Sequence, residues 1–105
     1  MKIAILNYKD AQPEFPYDFC VDRRSPIGNP FVMNNESQEE RDRVCDLYED
    51  YFSRASIDKS NFEHTLHKLL KAHKKYGQLR LFCWCVPLRC HSETIKKWLE
   101  ENENN

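Results

Sequence analysis

The sequence predicts an α/β domain, a small sheet flanked by helices in the order β-β-α-α-β-α, in a Rossmann-like three-layer or two-layer arrangement. Three observations carry this. Short apolar segments at 2–8 and 19–21 read as strands, two stretches between residues 37 and 77 carry apolar side chains at helical spacing, and a nearly continuous apolar run at 79–84 reads as a buried strand. At 105 residues the chain has room for one modest core. The expected organisation is a single domain over 1–99 and a polar tail over 100–105.

In the first strand, Lys2 to Tyr8, the residues Ile3, Ile5 and Leu6 supply the buried character. Pro13 and Pro16 break the loop over 9–18, and Phe19-Cys20-Val21 follows as a second extended piece. Pro26, Gly28, Asn29 and Pro30 then predict a structured turn, with Gly28 supplying a positive φ and Phe31 anchoring the turn to the core. Ser37-x-x-Glu40 is a capping box opening a helix whose stripe is Val44, Leu47, Tyr48, Tyr51 and Phe52. Ser60-x-x-Glu63 repeats the signal ahead of Phe62, Leu66, Leu69 and Leu70, and Gly77 marks the stop. After the buried strand, Pro87 is expected to end pairing, and a last helix from Ser92 turns Ile95, Trp98 and Leu99 inward.

Composition excludes several functions. Two glycines cannot form a Gly-rich phosphate loop, and a formal net charge of -1 argues against nucleic acid as a partner. No apolar run approaches the ~20 residues of a membrane span. The N-terminal apolar stretch is too short for a signal peptide, which points to the cytoplasm. Five cysteines, an odd number, suit reduced thiols better than a disulfide framework.

The chemistry concentrates in Cys83-Trp84-Cys85-Val86-Pro87-Leu88-Arg89-Cys90-His91. Alternation puts Cys83 and Cys85 on one face with Trp84 opposite, and Cys90 and His91 fall at the start of the last helix. Three readings stay open. Cys83, Cys85, Cys90 and His91 make a nominal Cys₃His set for zinc, although their spacing lacks the usual C-x₂-C pairs. Alternatively Cys90 is a thiol activated by the helix N-terminus with His91 as acid or base, the catalytic pair, or the helix end holds an anion. In the third reading, the cysteines are core residues. A second cluster, Arg23, Ser25 and Asn29, combines a guanidinium fork, a hydroxyl and a carboxamide on one loop, which suits a phosphate or a base edge.

Two smaller features have plainer accounts. His64, His67, Lys68, Lys71, His73, Lys74 and Lys75 form a basic stretch on the second helix, expected to be a solvated face complementing the acidic load from Glu39 to Asp50. Cys20 and Cys45 are expected in or beside the core.

Arg23-x-Ser25-x-x-Gly28-Asn29-Pro30-Phe31, followed by C-W-C-x-P-x-x-C-H over 83–91, resembles the family called domain of unknown function 4326. The likeness spans roughly residues 19 to 99 and includes a helical Arg and Tyr, filled here by Arg41 or Arg43 and by Tyr48 or Tyr51. Asp22 stands where that family usually has Gly, which would obstruct close approach of a ligand to the backbone. The resemblance implies a small cytosolic protein of phage or bacterial origin, and no activity. Together these readings lead to one pocket, formed by the Arg23–Asn29 loop and the Cys85–His91 turn, for an anionic nucleotide-like ligand. The alternative is a non-catalytic, zinc-stapled module that binds a host protein. Oligomeric state lies beyond the sequence.

Overall fold

The protein is described by a computed structural model over residues 2–86 and 88–104. Pro87 and Asn105 therefore lie outside the described residues, with whatever the sequence predicts for them. Three strands, β1 (Lys2–Asn7), β2 (Asp18–Cys20) and β3 (Gln78–Cys83), and three helices, α1 (Gln38–Asp58), α2 (Ser60–Tyr76) and α3 (Ser92–Asn102), follow the predicted order. The sheet runs β1-β3-β2 with both pairings parallel, so β3 is central. Ile3 lies opposite Leu79, and Cys20 opposite Phe82.

Leu79, Leu81 and Cys83 point from β3 into the main core, where they join Tyr48, Phe52 and Ala55 of α1, Phe62, Leu66, Leu69 and Leu70 of α2, and Ile95 and Leu99 of α3. Phe82 points the opposite way and is covered by the Tyr8 ring and by the Arg80 guanidinium. The helices thus share one core with the sheet. Arg80 also spans the Phe15 ring while its Nε lies 3.0 Å from Asp18 Oδ1, which keeps this second face paired as well as covered.

The capping box at Ser37 forms by half. Ser37 Oγ accepts from the Glu40 N–H, but the Glu40 carboxylate turns to Arg43 and to the Asn34 N–H instead of returning to Ser37. The box predicted at Ser60 does not form, because Ser60 is already inside α2. Lys59 alone separates the helices: its N–H completes α1 on the Ala55 carbonyl and its carbonyl accepts from Glu63, so α2 starts after Lys59 with no side-chain cap. Gly77 caps α2 at φ 70, as its position predicts.

Three expectations fail on burial. Leu47 of the predicted α1 stripe is exposed. His73, read as part of a solvated basic face, is fully buried and lies 2.9 Å from Glu103 through Nε2. α3 continues to Asn102, so the polar C-terminal segment is tied back to the core through residue 103. The acidic face of α1 also finds a different partner: Asp42, Asp46 and Glu49 surround Arg89.

Candidate functional site

The parallel pairing of β2 with β3 releases two loops side by side at the carboxyl ends of the strands, the place where ligands bind in sheets of this kind. A cavity of about 380 Å³ opens there, lined among others by Asp22, Arg23, Asn29 and Phe31 from the first loop and by Trp84, Cys85, Cys90 and His91 from the second. α1 adds Arg41 and Val44. The two motifs singled out in the sequence therefore meet around one space.

The first loop is held by its own backbone and by α1. Ser25 N–H and Gly28 N–H close successive turns on the carbonyls of Asp22 and Ser25. Gly28 has no positive φ, contrary to the reading from its position in the turn. Its requirement is proximity: a Cβ there would stand 2.2 Å from the Asp22 carbonyl oxygen and 2.8 Å from the Arg23 Cα. Tyr48, fully buried, donates to the Ile27 carbonyl at 2.6 Å, and Asn29 Nδ2 donates to the Val44 carbonyl at 3.0 Å.

These contacts redistribute the predicted roles. Asn29 also accepts from the Phe31 N–H, so both ends of its carboxamide serve the loop instead of a ligand. Ser25 Oγ accepts from the Ile27 N–H, and the residue faces a separate surface hollow beside Pro26 and Lys68. Arg23 does line the cavity, exposed, with Nη2 donating to the Phe31 carbonyl at 3.3 Å.

Asp22 is buried, and its carboxylate is folded onto Arg24, the Trp84 indole N–H and the Cys20 thiol. Burial alone would push this carboxyl up; hydrogen bonds from Arg24 and Cys20 outweigh it and hold the group well below the usual carboxylate range. The acid at the family's Gly position is thus neutralised within the loop.

The second loop gathers the sulfurs. Cys90 Sγ lies 3.4 Å from Cys83 Sγ, 3.4 Å from His91 Nδ1 and 3.3 Å from Ser92 Oγ. It also interacts with Cys85. Hydrogen bonding with Cys90 lowers the Cys83 thiol to about 5 and the Cys85 thiol to about 7, with Arg41 assisting at Cys85. The same bonds, reinforced by burial, push the Cys90 thiol far up. Cys90 is the protonated donor of the group. Cys90 and Cys83 are enclosed, whereas Cys85 is partly buried and lines the cavity. Of the two, Cys85 and not Cys90 is open to the cavity and has the lowered thiol pKa.

His91 donates from Nε2 to the Val21 carbonyl, an atom that can only accept, so Nε2 carries the proton. Burial lowers its pKa and keeps the ring neutral, leaving Nδ1 bare and facing Cys90. The edge of the ring rests against Tyr48. The commitment of Nε2 leaves Nδ1 open, as in a metal-binding histidine; among the described residues, however, no group of three or more His, Cys, Asp or Glu side chains is arranged to hold a metal ion. The anion contact predicted at the N-terminus of α3 is also pre-empted, since Glu93 accepts from the Cys90 N–H at 3.2 Å.

The profile of a family described as Domain of unknown function (DUF4326) matches residues 5–101. The chain belongs to this family. Of the helical candidates named for its motif, Arg41 and Tyr48 face the site, while Arg43 pairs outward with Glu40 and the Val32 carbonyl and Tyr51 packs against Phe31. No curated protein and no solved structure gives a match. No helix among the described residues is long and apolar enough to cross a membrane.

Trp84 and Arg89 were not assigned roles from sequence. Trp84 is 56% exposed at the cavity, with its ring 4.7 Å from that of Tyr8. Its place between Cys83 and Cys85 on the alternate face of the strand was the signal available. Arg89 joins this turn to α1 through its carboxylates, which only the fold reveals.

Proposed function

We propose that the cavity binds an anionic, nucleotide-like small molecule. The observation that carries this is the charge at its wall. Four arginines, Arg23, Arg24, Arg41 and Arg89, face a single carboxylate, Asp22. Arg24 is taken by Asp22, and Arg89 by the acids of α1. Among the described residues no carboxylate lies within ion-pair reach of Arg23 or Arg41, which leaves two guanidinium groups beside one space. Such forks match phosphate geometry, and each charge-assisted contact is worth about 1.5–3 kcal/mol. Trp84 offers an exposed aromatic face beside them, and stacking of a base there adds about 1–3 kcal/mol. A protein of phage origin working in its host's cytoplasm would meet nucleotides in abundance, and that compartment keeps the five thiols in the reduced form described.

Calorimetric titration with nucleosides and with their mono-, di- and triphosphates tests the reading. The expected result is binding that requires phosphate and weakens about 10–100-fold in Arg41→Ala and in Arg23→Ala, the loss of one contact each. Nucleosides binding as well as nucleotides, or an unchanged affinity in both variants, would overturn it. If no nucleotide binds at all, the reading also fails, and docking of a host protein becomes the function to pursue.

A further inference from the structure

Anion binding makes no use of the three sulfurs at the cavity floor, and their arrangement has its own chemistry. Cys85 faces the space; Cys90 lines the same cavity from behind, with its sulfur 3.4 Å from Cys83 Sγ and 3.4 Å from the bare Nδ1 of His91. We propose that this cluster is a dithiol–disulfide exchange centre whose substrates are small disulfides, with Cys85 as the attacking thiol, Cys90 as the resolving thiol and His91 as the base that serves Cys90.

The geometry assigns each part. A thiol that attacks an incoming disulfide must be reached from solvent, and of the three only Cys85 is more than marginally exposed. The thiol that resolves the mixed disulfide must lie beside the same cavity and stay out of reach of the reagent, which describes Cys90 at 2% exposure. It must also lose its proton at the moment of attack, and Nδ1 is 3.4 Å away with its tautomer fixed by the Val21 carbonyl.

The steps balance. Cys85 thiolate attacks one sulfur of R–S–S–R, a new S–S bond forms, and one R–S⁻ leaves. Cys90 then attacks Cys85 Sγ, its proton passing to His91 Nδ1. The Cys85–Cys90 bond forms as the bond to the second R–S⁻ breaks. Two electrons have moved from the protein dithiol to the small disulfide, and the proton held by His91 returns to a released thiolate. Guanidinium groups beside the thiol favour acidic disulfides at the same wall. This chemistry goes beyond nucleotide binding and does not depend on it.

The aromatic disulfide DTNB, which is acidic and releases a coloured thiolate, is a suitable probe. Cleavage after Arg80, Arg89 and Lys96 by trypsin separates the segment holding Cys83 and Cys85 from the one holding Cys90. The wild-type protein at neutral pH should show a fast reaction releasing two thiolates for each centre, no adduct left on Cys85, and a disulfide linking the two peptides. Cys85→Ser should lose the fast phase. Cys90→Ser should release one thiolate and retain the aryl adduct on Cys85. Fragmentation of the linked peptides between residues 83 and 85 by tandem mass spectrometry places the bridge on Cys85 or on Cys83, and a Cys83–Cys90 bridge overturns the proposal; this reading of the wild type decides the matter even if a cysteine variant fails to fold. A persistent adduct on Cys85 of the wild type, a bridge confined to the Cys83–Cys85 peptide, or Cys20 or Cys45 as the fastest thiol would each overturn the proposal.

Discussion

Gly28 shows how a residue can be required for a reason that its dihedral angles do not reveal. Its Cβ would sit inside the Asp22 carbonyl, and neither the backbone there nor at Arg23 can yield, because Tyr48 and Asn29 fasten the same loop to α1. Gly28→Ala should therefore destabilise the fold by about 1–3 kcal/mol or more, the cost of overpacking a fixed contact, read as a lower denaturation midpoint at an unchanged slope. A midpoint within error of the wild type would show that the loop can relax. The turn itself was legible in the spacing of Pro, Gly and Asn, but close approach of two backbones is a through-space fact that spacing does not encode. The same limit explains the thiols. Their clustering could be read from C-W-C and C-H alone, whereas which sulfur faces the cavity and which is enclosed is a matter of the fold. Asn29 was recognised for its type, and its bonds turn out to build the loop.

At the scale of elements, the apolar pattern located all three strands and all three helices; β1, β3 and the helices bury residues such as Leu, Ile, Phe or Tyr, while the short β2 is only partly buried. What it missed are places where a polar group is buried by a partner distant in sequence. His73 sits at a core position of α2 and looks solvated only because its neighbours are lysines. Its Nε2 meets Glu103 at 2.9 Å, thirty residues on, so the segment after α3 is a tether for α2. Truncation after Asn102 would leave a fully buried imidazole without this partner. It should cost about 1–3 kcal/mol, lowering Tm by roughly 4–8 °C per kcal/mol in a domain of this size. An unchanged Tm would mean that the last residues contribute nothing to the fold. The α1–α2 junction teaches a similar lesson: Ser60-x-x-Glu63 has the pattern of a cap, but with a single residue between the helices the N-cap position falls on Lys59 and Ser60 is already helical.

The whole molecule brings function out of topology. Because β3 is central and parallel to β2, the chain leaves both strands at the same edge, and the loops after Cys20 and after Cys83 must run together. The sequence could state this only conditionally, since nothing in a three-residue strand announces its direction. α1 closes the third side, and with it come Arg41 and the Tyr48 that braces both His91 and Ile27. The central claim is that guanidinium groups and a reactive thiol share one ligand space. Alkylation of Cys85 by iodoacetamide, followed by mass spectrometry across a nucleotide titration, measures that directly. The account predicts that the nucleotide slows labelling of Cys85, with half-protection at the concentration that half-saturates binding, and that Arg41→Ala shifts both together. Nucleotide that binds tightly while Cys85 is alkylated at its unprotected rate would contradict it.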